Sequence, residues 1–157
     1  MISRSPCDIV ILKDCGSKTF RNILVPLFGE ANDAFALDTA ERMAQEKDGV
    51  ITAMPVRGAA NKQRGMWSEE RYLDRLLRRV EHQPVKVQLK GTPPMDPVKA
   101  VLQEAEKHDL VVLGLAGSFL RQVGVPTVAE QIARQCVTPL VLAKASKGLS
   151  AFTKKWI

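Results

Sequence analysis

Short apolar runs that alternate with amphipathic segments constrain this chain of 157 residues most strongly. The run Asn22–Leu27 is nearly continuous in apolar residues, which is typical of a strand buried on both faces of a sheet. Similar strands are predicted at 49–56, 110–113 and 139–143, and Val85–Leu89 alternates as a half-exposed edge strand does. Strands that alternate with helices in this way indicate an α/β fold in three layers with a parallel sheet.

The predicted helices lie between these strands. Segment 32–47 places its apolar residues mostly on one face, and a second helix with core spacing follows the polar loop 57–65. Asp96 followed by Pro97 marks a helix start, because aspartate caps a helix and proline fits its first turn. Segment 127–130, Thr-Val-Ala-Glu, has the pattern of a capping box at the start of the last helix.

Right-handed crossovers predict a doubly wound sheet of five parallel strands in the order 3-2-1-4-5, counted from Asn22. The winding reverses between strands 1 and 4, so a ligand is expected at the carboxyl ends of those strands. There Leu27-Phe28-Gly29 faces segment 114–117, Gly-Leu-Ala-Gly, which leads toward the helix capped by Thr127. Because backbone N–H groups at a helix start attract anions, a phosphorylated ligand is expected here.

Composition limits the function classes. Hydrophobic residues at 45% and charged residues at 25% are typical of a globular domain, and no apolar run approaches the roughly 20 residues of a membrane span. The N-terminal segment 1–6 lacks the apolar core of a signal peptide, which favours a cytoplasmic location. Three cysteines and two histidines without metal-type spacing predict a reducing compartment and no metal site.

The net charge of +6 raises the question of nucleic-acid binding. The densest arginine cluster, at positions 71, 75, 78 and 79, is interleaved with acidic residues on a helix that we expect to face solvent. Aromatic residues make up only 5% of the chain, too few for a stacking surface. We therefore expect no nucleic-acid partner.

Five motifs in order resemble the universal stress protein family, over about residues 20–145. They are Ile23-Leu24-Val25-Pro26 with Gly29, the strand 50–56, the run 109–114, the segment 128–130 and the run 139–142. The resemblance implies the fold predicted above, dimerisation through the last strand, and binding of ATP or AMP in those members that bind a nucleotide.

Nucleotide-binding members resemble one another in the pattern Gly, two residues, Gly, nine residues, Gly and Ser or Thr, with an aspartate just after the first strand. Gly114, Gly117 and Thr127 match this pattern, whereas the third glycine falls on Pro126, with an interval one residue short, and the aspartate falls on Phe28. The resemblance places the adenine-nucleotide site at Pro26, Phe28, Val56, Leu113, Gly114, Gly117, Pro126, Thr127 and Val128.

The two departures weaken the predicted site. Proline at 126 removes a backbone N–H that could hold a phosphate, and Phe28 offers a ribose hydroxyl no hydrogen bond. Three of these residues also have a purely structural interpretation. In that interpretation, Gly114 allows a tight exit from the strand, Thr127 caps a helix and Phe28 fills the core, and none of them binds a ligand.

The sequence shows no nucleophile–base pair and no metal cluster, so we expect no enzyme. Two hypotheses stay open: a regulatory or sensory domain with a degenerate ATP or AMP site, and a dimerisation or interaction module without a ligand.

The strand-like segment Cys7–Lys13 is not needed by this fold, and it resembles Pro139–Lys144. One hypothesis makes residues 1–19 the end of a preceding domain of the same type, with 20–145 as the domain itself. The domain would then work in a homodimer, in a tandem pair, or as the cytoplasmic part of a membrane transporter, tethered to the inner face of a membrane. The alternative is that the segment protects the edge strand Leu140–Ala143. Both hypotheses predict that Ile9–Leu12 pairs beside that strand.

The basic tail, residues 146–157, is amphipathic, with Phe152 and Trp156 among its apolar residues. Such a tail could touch an anionic membrane surface. The preferred interpretation is a C-terminal helix that packs these two side chains onto the domain.

Overall fold

The computed structural model describes residues 7–14, 16, 20–29, 32–45, 48–56, 71, 74–75, 78, 85–115 and 127–146. The elements with defined bounds are the strands β1 (Ile9–Lys13), β2 (Asn22–Leu27), β3 (Val50–Pro55), β4 (Lys86–Leu89), β5 (Leu110–Gly114) and β6 (Leu140–Lys144), and the helices α1 (Asp33–Gln45), α2 (Pro97–Ala105) and α3 (Val128–Gln135).

Six described strands form one sheet in the order β1-β6-β5-β2-β3-β4. The strands β2 to β6 are parallel, and β2 pairs with both β3 and β5, for instance Ile23 with Ile51 on one side and with Leu110 on the other. The predicted order and the predicted reversal beside the first core strand are therefore confirmed. The carboxyl ends of β2 and β5 lie side by side, where the sequence placed the ligand crevice.

The two faces of the sheet carry separate apolar cores. One core joins the buried alanines of α1 and Leu37 to side chains of β2, β3 and β5, whereas the other joins α2 and α3 to the opposite face. Ile23 and Val25 contribute to the first core and Leu24 to the second, because successive residues of a strand point to opposite faces. This arrangement explains why β2 is apolar at nearly every position.

The helix starts follow the predicted signals. The Asp96 carboxylate accepts a hydrogen bond from the backbone N–H of Lys99 at 3.0 Å, with Pro97 as the first residue of α2. Thr127 caps α3 by accepting from the backbone N–H of Glu130 at 3.2 Å. The Glu130 carboxylate pairs with Arg134 one turn later, at 2.6 Å, and the second half of the capping box stays a prediction.

The segment before β2 pairs as predicted. β1 runs antiparallel to β6, with Ile9 opposite Lys144 and Lys13 opposite Leu140. The helical residues Arg71, Asp74, Arg75 and Arg78 are exposed, as expected of a solvated face. The core positions predicted for that helix lie outside the described residues, as does the tail from residue 147; these positions are 72, 73, 76, 77 and 80.

Candidate functional site

The turn that leaves β2 at the crevice is fixed by a carboxylate of the chain itself. Asp33, fully buried at the start of α1, accepts hydrogen bonds through Oδ2 from the backbone N–H of Phe28 at 2.9 Å and of Gly29 at 2.8 Å. Gly29 has a φ of 75°, a conformation that glycine adopts without strain. Two amides that could have bound an anion are thus engaged by Asp33.

Asn32 ties this turn to the ends of the two strands on its other side. Its side-chain amide donates to the carbonyl of Leu115, directly after β5. Its Oδ1 accepts from the backbone N–H of Ala145, directly after β6, at 3.1 Å. Asn32 is buried, so these bonds satisfy polar groups that would be costly to leave without partners. One side chain therefore links the carboxyl ends of β2, β5 and β6.

Gly114 is required by this packing. A Cβ at position 114 would lie 2.7 Å from the carbonyl oxygen and 2.8 Å from the carbonyl carbon of Asn32. Backbone atoms cannot move aside as the end of a flexible side chain can, so only glycine fits without a shift. The close approach at Gly114 is made by the turn after β2.

Apolar side chains fill the crevice beside these polar groups. Phe28, Val56 and Leu113 belong to one buried cluster, and Val128 at the start of α3 packs against it. Phe28 is only 8% exposed, so its ring is part of the core. The backbone N–H of Val56 donates to the carbonyl of Leu27 at 2.8 Å. These positions, predicted as parts of an adenine-nucleotide site, belong to one apolar cluster.

The remaining predicted site residues lie around this cluster or outside the description. Pro26 is buried within β2, opposite Met54 of β3. Thr127, the cap of α3, is half-buried. Gly117 and Pro126 lie outside the described residues, as does all of 116–126. The structure thus brings together the part of the predicted site contributed by β2, β3, β5 and the start of α3.

The described crevice offers little for chemistry on a bound molecule. Its carboxylate, Asp33, holds backbone amides through Oδ2 and is fully buried. Among the described residues, no group of three or more histidine, cysteine, aspartate or glutamate side chains could hold a metal ion. In the same part of the chain, no helix is both long and apolar enough to cross a membrane.

Neither Asn32 nor Asp33 is among the site residues predicted from the sequence. A signal was present, because an Asn-Asp pair between a buried strand and an amphipathic segment is typical of a helix start. Their partners could not be inferred in the same way, since Leu115 and Ala145 are distant in the chain.

A second polar cluster, also missed, lies on α2. The buried Glu104 carboxylate contacts Lys90 at 2.7 Å, Lys107 at 3.4 Å and the His108 ring at 3.8 Å. Burial opposes ionisation of Glu104, but the hydrogen bond and charge of Lys90, with the charges of Lys107 and His108, hold its pKa below the ordinary value. The four residues form an ion-pair network that joins α2 to the end of β4.

Comparisons with known proteins give this chain a family and a fold. A family model described as the Universal stress protein family matches residues 19–144. Among curated proteins, no significant match to the sequence was found. Among solved structures, the universal stress protein UspA from Lactobacillus plantarum is 18% identical, with a TM-score of 0.57, and the match covers 79% of this chain and 97% of that one.

Two further solved structures add context. A universal stress protein in complex with cAMP is 19% identical, with a TM-score of 0.57 and coverage of 82% of this chain and 100% of that one. A universal stress protein from Archaeoglobus fulgidus is 17% identical, with a TM-score of 0.61 and coverage of 94% of this chain. The match covers only 53% of the Archaeoglobus chain, so this chain spans about half of that relative's length. At these identities the likeness shows the fold.

Proposed function

The chain belongs to the universal stress protein family, and on this premise we propose that it is a non-catalytic regulatory domain that binds an adenine nucleotide weakly. One observation carries the proposal. The crevice lies where the winding of the sheet reverses, but side chains of this chain fill the part of it beside β2. The Phe28 ring is buried and Asp33 engages the amides of Phe28 and Gly29. Only the side formed by the end of β5 and the start of α3 is left for a ligand.

The proposed ligand class follows from that remaining side. The backbone donors at the start of α3 and the positive end of its dipole favour a phosphate. A solved relative carries cAMP, which supports an adenine nucleotide rather than a free anion. With Phe28 in place of the aspartate and Pro126 in place of a glycine, we expect ATP and AMP to bind with Kd values of about 1 mM.

Isothermal titration with ATP, ADP and AMP tests this function. We expect weak heats with the wild type and their loss in Gly117→Val, because a side chain there would crowd the proposed phosphate loop. Gly91→Ala is the matched control, since a Cβ at that exposed glycine meets no atom within 4 Å. Binding that survives Gly117→Val would show that the site is elsewhere, and micromolar binding by the wild type would contradict a weakened site.

A second candidate function is an interaction module without a ligand. It is favoured by the closure of the β2 side of the crevice through Asn32, Asp33 and Phe28. The same titration separates the candidates, because this function predicts no heat and no thermal shift at millimolar nucleotide.

We also propose that the domain works within a longer protein, after a preceding domain of the same type, as in a transporter with a cytoplasmic regulatory part. The antiparallel pairing of β1 with β6 supports this context, as does the Archaeoglobus chain, of which the match covers 53%. Sequencing the coding region upstream of Met1 tests it. A second universal stress protein domain there is expected, and an unrelated sequence or a natural start at Met1 would contradict the proposal.

A further inference from the structure

The backbone that leaves β5 is held on both sides of Leu115. The Leu115 N–H donates to the carbonyl of Ala143 in β6 at 2.9 Å, and the Leu115 carbonyl accepts from the side-chain amide of Asn32. Leu115 is only 2% exposed, so solvent does not compete for either group. The exit from β5 therefore has a defined backbone direction, and a side chain that is distant in the sequence sets it.

The orientation of the Asn32 amide follows from its two partners. A backbone carbonyl only accepts and a backbone N–H only donates, so Nδ2 must face Leu115 while Oδ1 faces the Ala145 N–H, 3.1 Å away. Asn32 is 9% exposed, and a Cβ on Gly114 would lie 2.7 Å from its backbone carbonyl oxygen. The backbone and the side chain of Asn32 thus both hold the end of β5.

The contact with Asn32 also determines where the next backbone N–H points. A trans peptide unit is planar, and its C=O and N–H groups point in opposite directions. Because the Leu115 carbonyl is directed at Asn32, the N–H of the same peptide unit is directed away from Asn32 and from the turn after β2. It is the first amide beyond β5, on the side of the crevice that is proposed above to take a phosphate.

The two sides of the crevice therefore use their backbone amides differently. On the β2 side, the N–H groups of Phe28 and Gly29 are engaged by the Asp33 carboxylate, at 2.9 and 2.8 Å. On the β5 side, Asn32 bonds the carbonyl of the peptide unit and leaves its N–H out of the contact. The Asn32 amide is neutral, so it brings no negative charge that would oppose a phosphate.

We propose that Asn32 is a positioning residue of the nucleotide site, which fixes the peptide unit after Leu115 so that its N–H is presented to the phosphate of an adenine nucleotide. The inference rests on the proposed function, because it supposes that a phosphate binds between the end of β5 and the start of α3. An amide that is oriented before the ligand arrives does not have to be ordered on binding, and such preorganisation raises affinity. Asn32 contacts the peptide unit and not the ligand, so its effect is confined to the phosphate.

Binding of AMP and of adenosine to Asn32→Ala tests the role in phosphate binding. We expect the Kd for AMP to rise about 10-fold over that of the wild type, because the amide is then no longer held toward the phosphate. The Kd for adenosine, which has no phosphate, is expected to stay within about 2-fold. Amide NMR titrations at constant ionic strength measure both ligands. If Asn32→Ala does not fold, Asn32→Ser gives the same test, since its side chain is polar but too short to reach Leu115.

Thr138→Val is the matched control. The Thr138 hydroxyl, also buried, donates to the carbonyl of Ala105 at 2.9 Å, so this variant likewise loses a hydrogen bond from a buried side chain to the backbone. Thr138 precedes β6 and lies at the end of the sheet opposite the crevice. We expect both ligands to bind this variant as they bind the wild type. A merely structural Asn32 would give the same binding result in both variants.

Nitrogen-15 relaxation of the Ala116 amide tests the positioning without any nucleotide. Asn32→Asp keeps an oxygen for the Ala145 N–H but loses the donor to Leu115, so it separates the two bonds of Asn32. We expect order parameters of about 0.85 in the wild type and in Thr138→Val, and below about 0.6 in Asn32→Ala and Asn32→Asp at pH 7.

The outcomes distinguish this inference from the proposed function. AMP that binds the wild type and a folded Asn32→Ala equally well would overturn the inference and leave the proposed function standing. A loss of adenosine affinity as large as that of AMP would overturn it as well, and so would a rigid Ala116 amide in both Asn32 variants. A wild type that binds no AMP would contradict the proposed function, and the phosphate role of Asn32 would be overturned with it.

Discussion

The centre and the edge of this sheet differ in how far contacts within the chain cover their polar and apolar groups. At the centre, where β2 meets β5, the polar groups of the crevice are engaged by Asn32 and Asp33 and the aromatic ring of Phe28 is buried. At the edge, β1 holds β6 in register but leaves Val10, Ile11 and Leu12 substantially exposed. The difference teaches that the chain satisfies its own polar and aromatic groups more fully at the carboxyl ends of β2 and β5 than at the outer edge of the sheet.

The largest effect is expected from the buried carboxylate at the centre. Asp33→Ala removes the acceptor of two backbone N–H groups, and we expect the free energy of unfolding to fall by about 2–4 kcal/mol. Asp33→Asn keeps an oxygen of the same shape and costs less. Urea denaturation of both variants measures the difference. A loss below 1 kcal/mol in Asp33→Ala, within the scatter of exposed substitutions, would break the comparison, since the centre would then not be held by this residue.

The next effect comes from the close approach at the end of β5. Gly114→Ala places a Cβ 2.7 Å from the Asn32 carbonyl oxygen, and we expect it to destabilise the protein by about 1–3 kcal/mol. Gly91→Ala has open space and stays within about 0.5 kcal/mol of the wild type. Thermal unfolding of the pair gives the comparison. Equal stability of the two variants would mean that Gly114 is there for a ligand rather than for Asn32.

A moderate effect is expected when the two departures from the predicted nucleotide-binding pattern, Phe28 and Pro126, are replaced by the residues of that pattern. Phe28→Asp with Pro126→Gly reopens the β2 side and returns a backbone N–H to the loop, so we expect ATP to bind about 10-fold more tightly than to the wild type. Phe28→Leu, which keeps the apolar packing, leaves the affinity unchanged. Titration calorimetry on variants shown to be folded decides the point. No gain in affinity would argue that Asn32 and Asp33 alone close the crevice.

The smallest effect concerns the ion pairs on α2, away from both regions. The folded-state pKa of Glu104 lies below its ordinary value of 4.5, so its contribution to stability is complete above that pH and is lost as the pH falls through the folded pKa. We therefore expect Glu104→Gln to be less stable than the wild type at pH 7, by about 1 kcal/mol, and the gap to close in acid. Urea unfolding from pH 7 to pH 3 measures it. A gap that widens in acid would contradict the sign.

The fold could be predicted from local patterns, whereas the contacts that fill the crevice could not. The Asp96-Pro97 helix start and the apolar run of β2 depend on neighbours in the sequence, and right-handed crossovers then determine the strand order. Gly114 was expected in a ligand loop, but its role depends on Asn32, distant in the chain. The partners of Asn32 and the contact of Lys13 with α3 are equally long-range. No periodicity carries such information.

The most direct test of a closed centre is a titration with AMP and ATP followed by two-dimensional amide NMR. We predict shifts at Leu115, at Gly117 of the proposed phosphate loop and at the start of α3, around Thr127 and Val128, at millimolar nucleotide. The amides of Phe28 and Gly29, which are bonded to Asp33, should stay unmoved. Saturation at micromolar nucleotide with large shifts at Phe28 and Gly29 would contradict the account, because the ligand would then occupy the side of the crevice that the chain closes.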